Sequence, residues 1–190
     1  VDVPGHERFI RTMVAGAVGI DCVVLVVAAD EGVMPQTREH LDICGLLGIR
    51  SGVVALTKCD LVTPDLIELA KEELREILSG TFLDGAEVIP CSVHSGIGLK
   101  ELPSAIERAL RKVPPRDESA AVRLPVDRVF TMKGFGTVVT GTLWSGRLHV
   151  GDELISLPQK KAVAKVRGLH VHGKPVPVAT AGQRTAVNLS

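Results

Sequence analysis

Three short segments hold the residues whose types and spacing could do chemistry together: Asp2-Val3-Pro4-Gly5-His6, Thr57-Lys58-Cys59-Asp60 and Cys91-Ser92-Val93. The second and third close apolar, β-branched stretches, and the first sits at what reads as the end of another strand. A carboxylate on a strand tip, such as Asp2, can hold a divalent cation through water, and the amide of Gly5 can approach a phosphate without side-chain hindrance. Asp60 can accept two N–H donors at once, and the aliphatic stem of Lys58 can lie over a flat ring. Alone, a Pro-Gly pair after an apolar stretch is more often an ordinary turn. Three polar segments at three strand ends make a stronger case, because ligands of parallel α/β sheets bind where the strands end.

The elements that must position them follow from periodicity. Residues 22–28 are a continuous apolar run suited to a strand buried on both faces, and 52–56 and 87–90 look similar. Residues 36–47, 65–78 and 99–112 carry apolar residues at helical spacing, and Leu66, Leu69, Ala70, Leu74, Ile77 and Leu78 are expected to form one stripe. Asp65 after Pro64 gives an acidic first turn, and Gly80 a stop. The alternation predicts parallel βα units with covering helices. The period changes after Val113. Residues 114–120 combine two prolines with charge and read as an exposed linker between a domain at 1–113 and a second at 121–190. Residues 122–130, 136–143, 153–157, 162–169 and 182–189 are short, Val- and Thr-rich and separated by Gly or Pro, which predicts a small antiparallel β-barrel. The Gly134-Phe135-Gly136 turn is expected to make a hairpin. His170 and His172, two apart on a strand, are expected on a solvated face, since two ligands without a third rarely hold a metal.

Composition narrows the classes. With 22 basic and 22 acidic side chains, no global field points to nucleic acid or membrane, so any RNA contact must be local. Aromatics make up 3% of the chain, which argues against a base-stacking surface. Cys22, Cys44, Cys59 and Cys91 form no C-x-x-C pair and are expected to be four buried free thiols. No apolar run approaches the roughly 20 residues that span a bilayer, and no signal peptide is visible, so a cytoplasmic protein with no membrane partner is expected. The start at Val1, on a strand end and without methionine, reads as the interior of a longer chain.

In order and spacing the three segments resemble the third, fourth and fifth sequence elements of regulatory GTPases. That resemblance implies GTP or GDP and magnesium as cofactors. Asp2 would hold magnesium through water, Gly5 the terminal phosphate, and the helix over residues 7–18 would be the switch. Asp60 would accept the N1 and N2 donors of guanine while Lys58 covers the ring, and the Val93 amide beside Ser92 would reach the guanine carbonyl. Thr57 stands where the family has asparagine, and Val93 where it commonly has alanine. No G-x-x-x-x-G-K-[ST] phosphate loop is present, and the resemblance places it upstream, so this stretch alone is expected to be inactive.

Pro4-Gly5-His6 and Met34-Pro35-Gln36-Thr37-Arg38-Glu39-His40 resemble the elongation factor Tu superfamily, in which the histidine after the glycine positions the attacking water. Residues 7–17 and 30–34, the barrel stretch 127–142 and Ala181-Gly182-Gln183-Arg184 are similar to its selenocysteine-specific branch. This implies selenocysteinyl-tRNA and the ribosome as partners, and an mRNA hairpin bound through a region beyond this chain. A selenol is mostly ionised near neutral pH, so a cationic site could separate it from a seryl group. Arg128 and Arg184 are the candidate selectors, with Asp127 orienting one of them; rim salt bridges are the alternative. A general elongation factor, the GTPase subunit of sulfate adenylyltransferase and a non-hydrolysing binding module stay open as other tasks for this fold.

Overall fold

The computed structural model describes residue 14 and residues 19–132, 136–158 and 163–190. The chain divides into two compact units, Val1–Pro114 and Pro115–Ser190. No helix among the described residues is long and apolar enough to cross a membrane.

In the first unit, β1 (Val23–Ala28) and β3 (Val88–Pro90) flank β2 (Gly52–Thr57) in a parallel sheet of order β1-β2-β3. Successive side chains of a strand point to opposite faces, so an all-apolar strand can serve two cores. On one face, Val54 and Leu56 pack with Leu41 of α1 (Pro35–Leu46) and with Leu74 and Leu78 of α2 (Pro64–Leu78). On the other, Val53 packs with Ala105 and Ala109 of α3 (Glu101–Leu110). The expectation of burial on both faces holds for β2 and fails for β1, where Val24 and Val26 are 39% and 62% exposed. The buried stripe of α2 also differs from the expected one. Ala70, Leu74 and Leu78 are buried and Ile67 and Ile77 pack beside them, whereas Leu66 and Leu69 are exposed. At about 100° per residue, Leu69 lies roughly 130° from the middle of that stripe, too far round to reach the core. Helix α3 is shorter at both ends than expected. Of the four free thiols, Cys59 and Cys91 are buried but Cys22 and Cys44 are only half-buried.

The second unit is antiparallel and barrel-like. Its main sheet runs β4 (Val126–Met132), β5 (Gly136–Thr142), β11 (Arg184–Leu189), β8 (Val163–Val171), β7 (Glu153–Ile155), with β9 (Lys174–Val176) added to β8. A separate pair, β6 (Arg147–His149) with β10 (Val178–Thr180), supplies Leu148 and Ala179 to the core made by Val139, Val166, Leu169 and Val187. Four of these strands, β6, β7, β9 and β10, are three residues long, and all but β7, which falls in the stretch expected at 153–157, escape a reading by alternation. β4 starts later than expected because residues 115–125 are fastened elsewhere: the Gly146 amide donates to the Asp117 carbonyl (2.9 Å), Arg147 pairs with Glu118 (2.7 Å), and Arg123 bridges to Ser145. Of the hairpin turn expected at Gly134-Phe135-Gly136, the first two residues lie outside the described residues, and the strands on either side pair, with Met132 opposite Gly136.

Candidate functional site

Because β2 and β3 are parallel neighbours, the loops that leave them start side by side. The Cys91 amide donates to the Leu56 carbonyl (2.8 Å) and the Cys59 amide to the Cys91 carbonyl (3.3 Å), which stitches Thr57–Asp60 to Cys91–Val93. Ser92 is 3% exposed, and its hydroxyl accepts the Ser95 amide (3.2 Å). The same hydroxyl is near enough to the Asp60 carboxylate to hold that carboxyl below its ordinary range. Asp60 is therefore an ionised, exposed acceptor on a fixed mount. Beside it, the Val93 side chain is 85% exposed, and among the described residues the Val93 amide makes no hydrogen bond. Behind the loop, Gly98 (φ +72°) passes so close to Pro90 and Cys91 that a Cβ would collide with the Pro90 carbonyl.

Lys58 takes a left-handed conformation (φ 57°) that starts a short 3-10 turn at Cys59–Leu61. Its ammonium reaches Glu31 (2.7 Å) and Asp30 (3.1 Å) in the loop after β1, and these bonds raise its pKa. The Thr57 hydroxyl donates to the Val27 carbonyl on β1 (3.2 Å). The loop after β1 is thus part of the same cluster. Sequence reasoning passed over Asp30 and Glu31 as site residues, although their place at a strand's C-terminal tip was a usable signal. The arrangement offers a planar ligand two acceptor oxygens from Asp60, an apolar Lys58 stem with its charged end held aside, and a free N–H donor at Val93. Asp2, Gly5 and His6, and all of the expected switch helix at 7–18 except Val14, lie outside the described residues.

The second group of candidates is on the barrel. Register shifts between Val126 and Arg128 opposite Gly141 and Thr140, so Asp127 is the extra residue of a β-bulge. Its carboxylate accepts Arg184 at 2.6 and 3.0 Å and the Thr140 hydroxyl at 2.8 Å. Burial pushes the Asp127 carboxyl up, but Arg184, Thr140 and the charge of Arg128 outweigh it and leave the carboxyl below its ordinary range. Arg184, raised by the same bonds, lines a shallow hollow of about 260 Å³ together with Thr140, Ala186, His170, His172 and Gly173. Arg128 does not line it. Of the two histidines expected on a solvated strand face, His170 is exposed on β8 as expected, whereas β8 ends at Val171 and the exposed His172 belongs to the following turn (φ 51°); both border this hollow.

Comparison with known proteins gives a consistent picture. Residues 1–112 match the elongation factor Tu GTP binding domain, and residues 136–190 match elongation factor Tu domain 2. The selenocysteine-specific elongation factor of Desulfomicrobium baculatum is 59% identical over 189 residues, covering 100% of this chain and 30% of that protein. A bacterial selenocysteine-specific elongation factor of known crystal structure superposes with a TM-score of 0.91 at 37% identity, over 99% of this chain and 32% of the other. Translation elongation factor SelB of Methanococcus maripaludis, in complex with the GTP analogue GppNHp, superposes with a TM-score of 0.91 at 36% identity, over 100% of this chain and 42% of the other. The chain thus spans less than half the length of each of these relatives.

Proposed function

The chain belongs to the elongation factor Tu GTP-binding family, and from that premise we propose that it is part of a translational GTPase that delivers selenocysteinyl-tRNA to the ribosome and hydrolyses GTP on ribosome contact. The observation that carries the nucleotide half of this reading is the placement of the Asp60 carboxylate, exposed beside the buried Ser92 at the mouth formed by the loops after β2 and β3. Guanine presents adjacent N1 and N2 donors that match the two carboxylate oxygens, and adenine does not. Lys58, its ammonium held by Asp30 and Glu31, would lay its stem on the ring, and the Val93 amide would donate to the guanine carbonyl. The Thr57 hydroxyl, which donates to the Val27 carbonyl of β1, stands where the family has asparagine and would supply only part of that amide's bonding capacity.

In the same reading Asp2 would hold magnesium through water, where the ion neutralises charge on the phosphates. Gly5 would approach the terminal phosphate through its amide, and His6 would orient the attacking water. The chain as it stands lacks a phosphate loop, so it is expected to bind GTP weakly and not to hydrolyse it. A submicromolar affinity of the isolated chain would contradict this.

The aminoacyl half rests on Arg184, a cation fixed by Asp127 at the edge of a hollow. A selenolate would gain a charge-assisted contact there that a seryl hydroxyl would not. Arg128 would add positive potential from outside the hollow. The relatives named above favour this task over a general elongation factor or a sulfate adenylyltransferase GTPase subunit. The test uses the full-length protein and one tRNA charged with either selenocysteine or serine, and measures GTP-dependent affinity. A preference of about tenfold or more for selenocysteine is expected. Equal affinities would move the protein to one of the two other tasks.

A further inference from the structure

Lys58 holds a backbone conformation that a side chain makes unfavourable. It stands in the left-handed region (φ 57°), between the end of β2 and the 3-10 turn that carries Asp60. Such a residue persists only where its surroundings fix it. Backbone bonds do part of this: the Leu61 amide donates to the Lys58 carbonyl (3.0 Å) and the Cys59 amide to the Cys91 carbonyl (3.3 Å). The Lys58 side chain adds a further tie, since its ammonium donates to Glu31 (2.7 Å) and Asp30 (3.1 Å).

The two carboxylates sit on a loop that is itself fastened at the same place. The Ala29 amide donates to the Thr57 carbonyl (2.8 Å), one residue before Lys58, and the Glu31 and Gly32 amides donate to the Ala28 carbonyl (3.2 and 2.9 Å). Two carboxylates against one ammonium leave a net negative charge. That charge would repel a phosphate, so the arrangement suits the base end of a nucleotide and commits the Lys58 charge away from the phosphates.

Resting on the nucleotide reading above, we infer that Asp30 and Glu31 are positioning residues for the base, acting through Lys58. By drawing the ammonium toward the loop after β1 they keep Lys58 left-handed. The stem is then laid along the base, and the 3-10 turn carries Asp60 to the donor edge of the ring. The loop after β1 thus forms a third wall of the base site, beside the loops after β2 and β3.

A double-mutant cycle tests this in the full-length protein with GDP as the probe, using the wild type, Asp30→Asn/Glu31→Gln, Lys58→Met and the triple variant. Methionine keeps an unbranched stem and removes the charge. In the wild-type background the acid-pair substitution is expected to lower GDP affinity about fivefold, the size of an exposed ion pair. In the Lys58→Met background it is expected to change affinity less than about twofold. An equal fall in both backgrounds would overturn the inference, because the carboxylates would then act without Lys58. Unchanged or higher affinity in the wild-type background would overturn it as well, the latter by giving the freed ammonium to the phosphates. The gap between the wild type and the acid-pair variant should also close at about 1 M salt, where exposed charges are screened. A gap that persisted there would assign the pair to packing and overturn the inference by a route independent of Lys58→Met. All these outcomes leave the proposed function standing, whereas equal affinity of the wild type for GDP and ADP would overturn the nucleotide reading itself.

Discussion

The edge at the ends of β2 and β3 and the barrel hollow are assembled in different ways. At the edge, the polar residues directly follow buried strands, and two backbone hydrogen bonds between adjacent parallel strands bring Thr57–Asp60 to Cys91–Val93. On the barrel, Asp127, Thr140, Arg184 and His170 come from four strands, and only their antiparallel register puts them on one patch. The first site inherits its rigidity from a core; the second depends on side chains that hold one another at the surface. Substitutions should therefore damage the first through packing and the second through local pairs.

The largest effect is expected in the core beneath the edge. Leu74→Ala, at a position 1% exposed, should cost about 4 kcal/mol in denaturant unfolding, whereas Leu69→Ala on the exposed side of α2 should cost less than about 0.5 kcal/mol. Comparable losses would mean that the helix packs as its sequence pattern implies and not as described. Next comes Gly98→Ala, expected to cost about 3 kcal/mol because the methyl meets the Pro90 carbonyl in a left-handed backbone, and to weaken guanine-nucleotide binding as the Cys91–Val93 loop shifts. A stable variant with normal binding would show that the loop does not depend on this close approach.

The barrel pair should matter less. Asp127→Asn is expected to cost about 1 kcal/mol at neutral pH, since Asp127 is mostly covered but Arg184 is nearly half exposed. The native carboxyl titrates below its unfolded value, near 3.9, so this contribution is complete above that pH and disappears as pH falls through the lower native value. Unfolding curves of the variant and the wild type should converge in acid. A difference that persisted there would assign the effect to packing and not to charge.

The same contrast explains what could be read in advance. The strands at 23–28, 52–57 and 88–90 and the three helices announced themselves by period, and the Thr57 and Cys91 segments by position at strand ends. Their local chemistry needed only neighbouring residues. The strands at 174–176 and 178–180 were missed because Pro175 and Pro177 interrupt the run, and the strand at 147–149 because Arg147, Leu148 and His149 carry no β-branched signal. Asp30 and Glu31 were passed over because their tie to Lys58 joins two loops through side-chain length, which spacing does not encode. Leu66 and Leu69 joined the wrong face because a helix with many leucines is apolar over a wide arc, and only the sheet beneath decides which part is covered. The hollow was invisible because Ala186 acquires meaning only from its partners across the strands.

The central claim is that the edge formed by the β2 and β3 loops reads guanine through Asp60, and Asp60→Asn tests it most directly. Xanthine carries a carbonyl where guanine carries its 2-amino group, and the amide introduced by the substitution can donate to that carbonyl but cannot accept both guanine donors. Equilibrium titration of the full-length protein and its variant with GTP and XTP should show GTP affinity falling by about 100-fold and XTP affinity rising. Unchanged GTP binding in the variant would contradict the assignment of this edge to the nucleotide base.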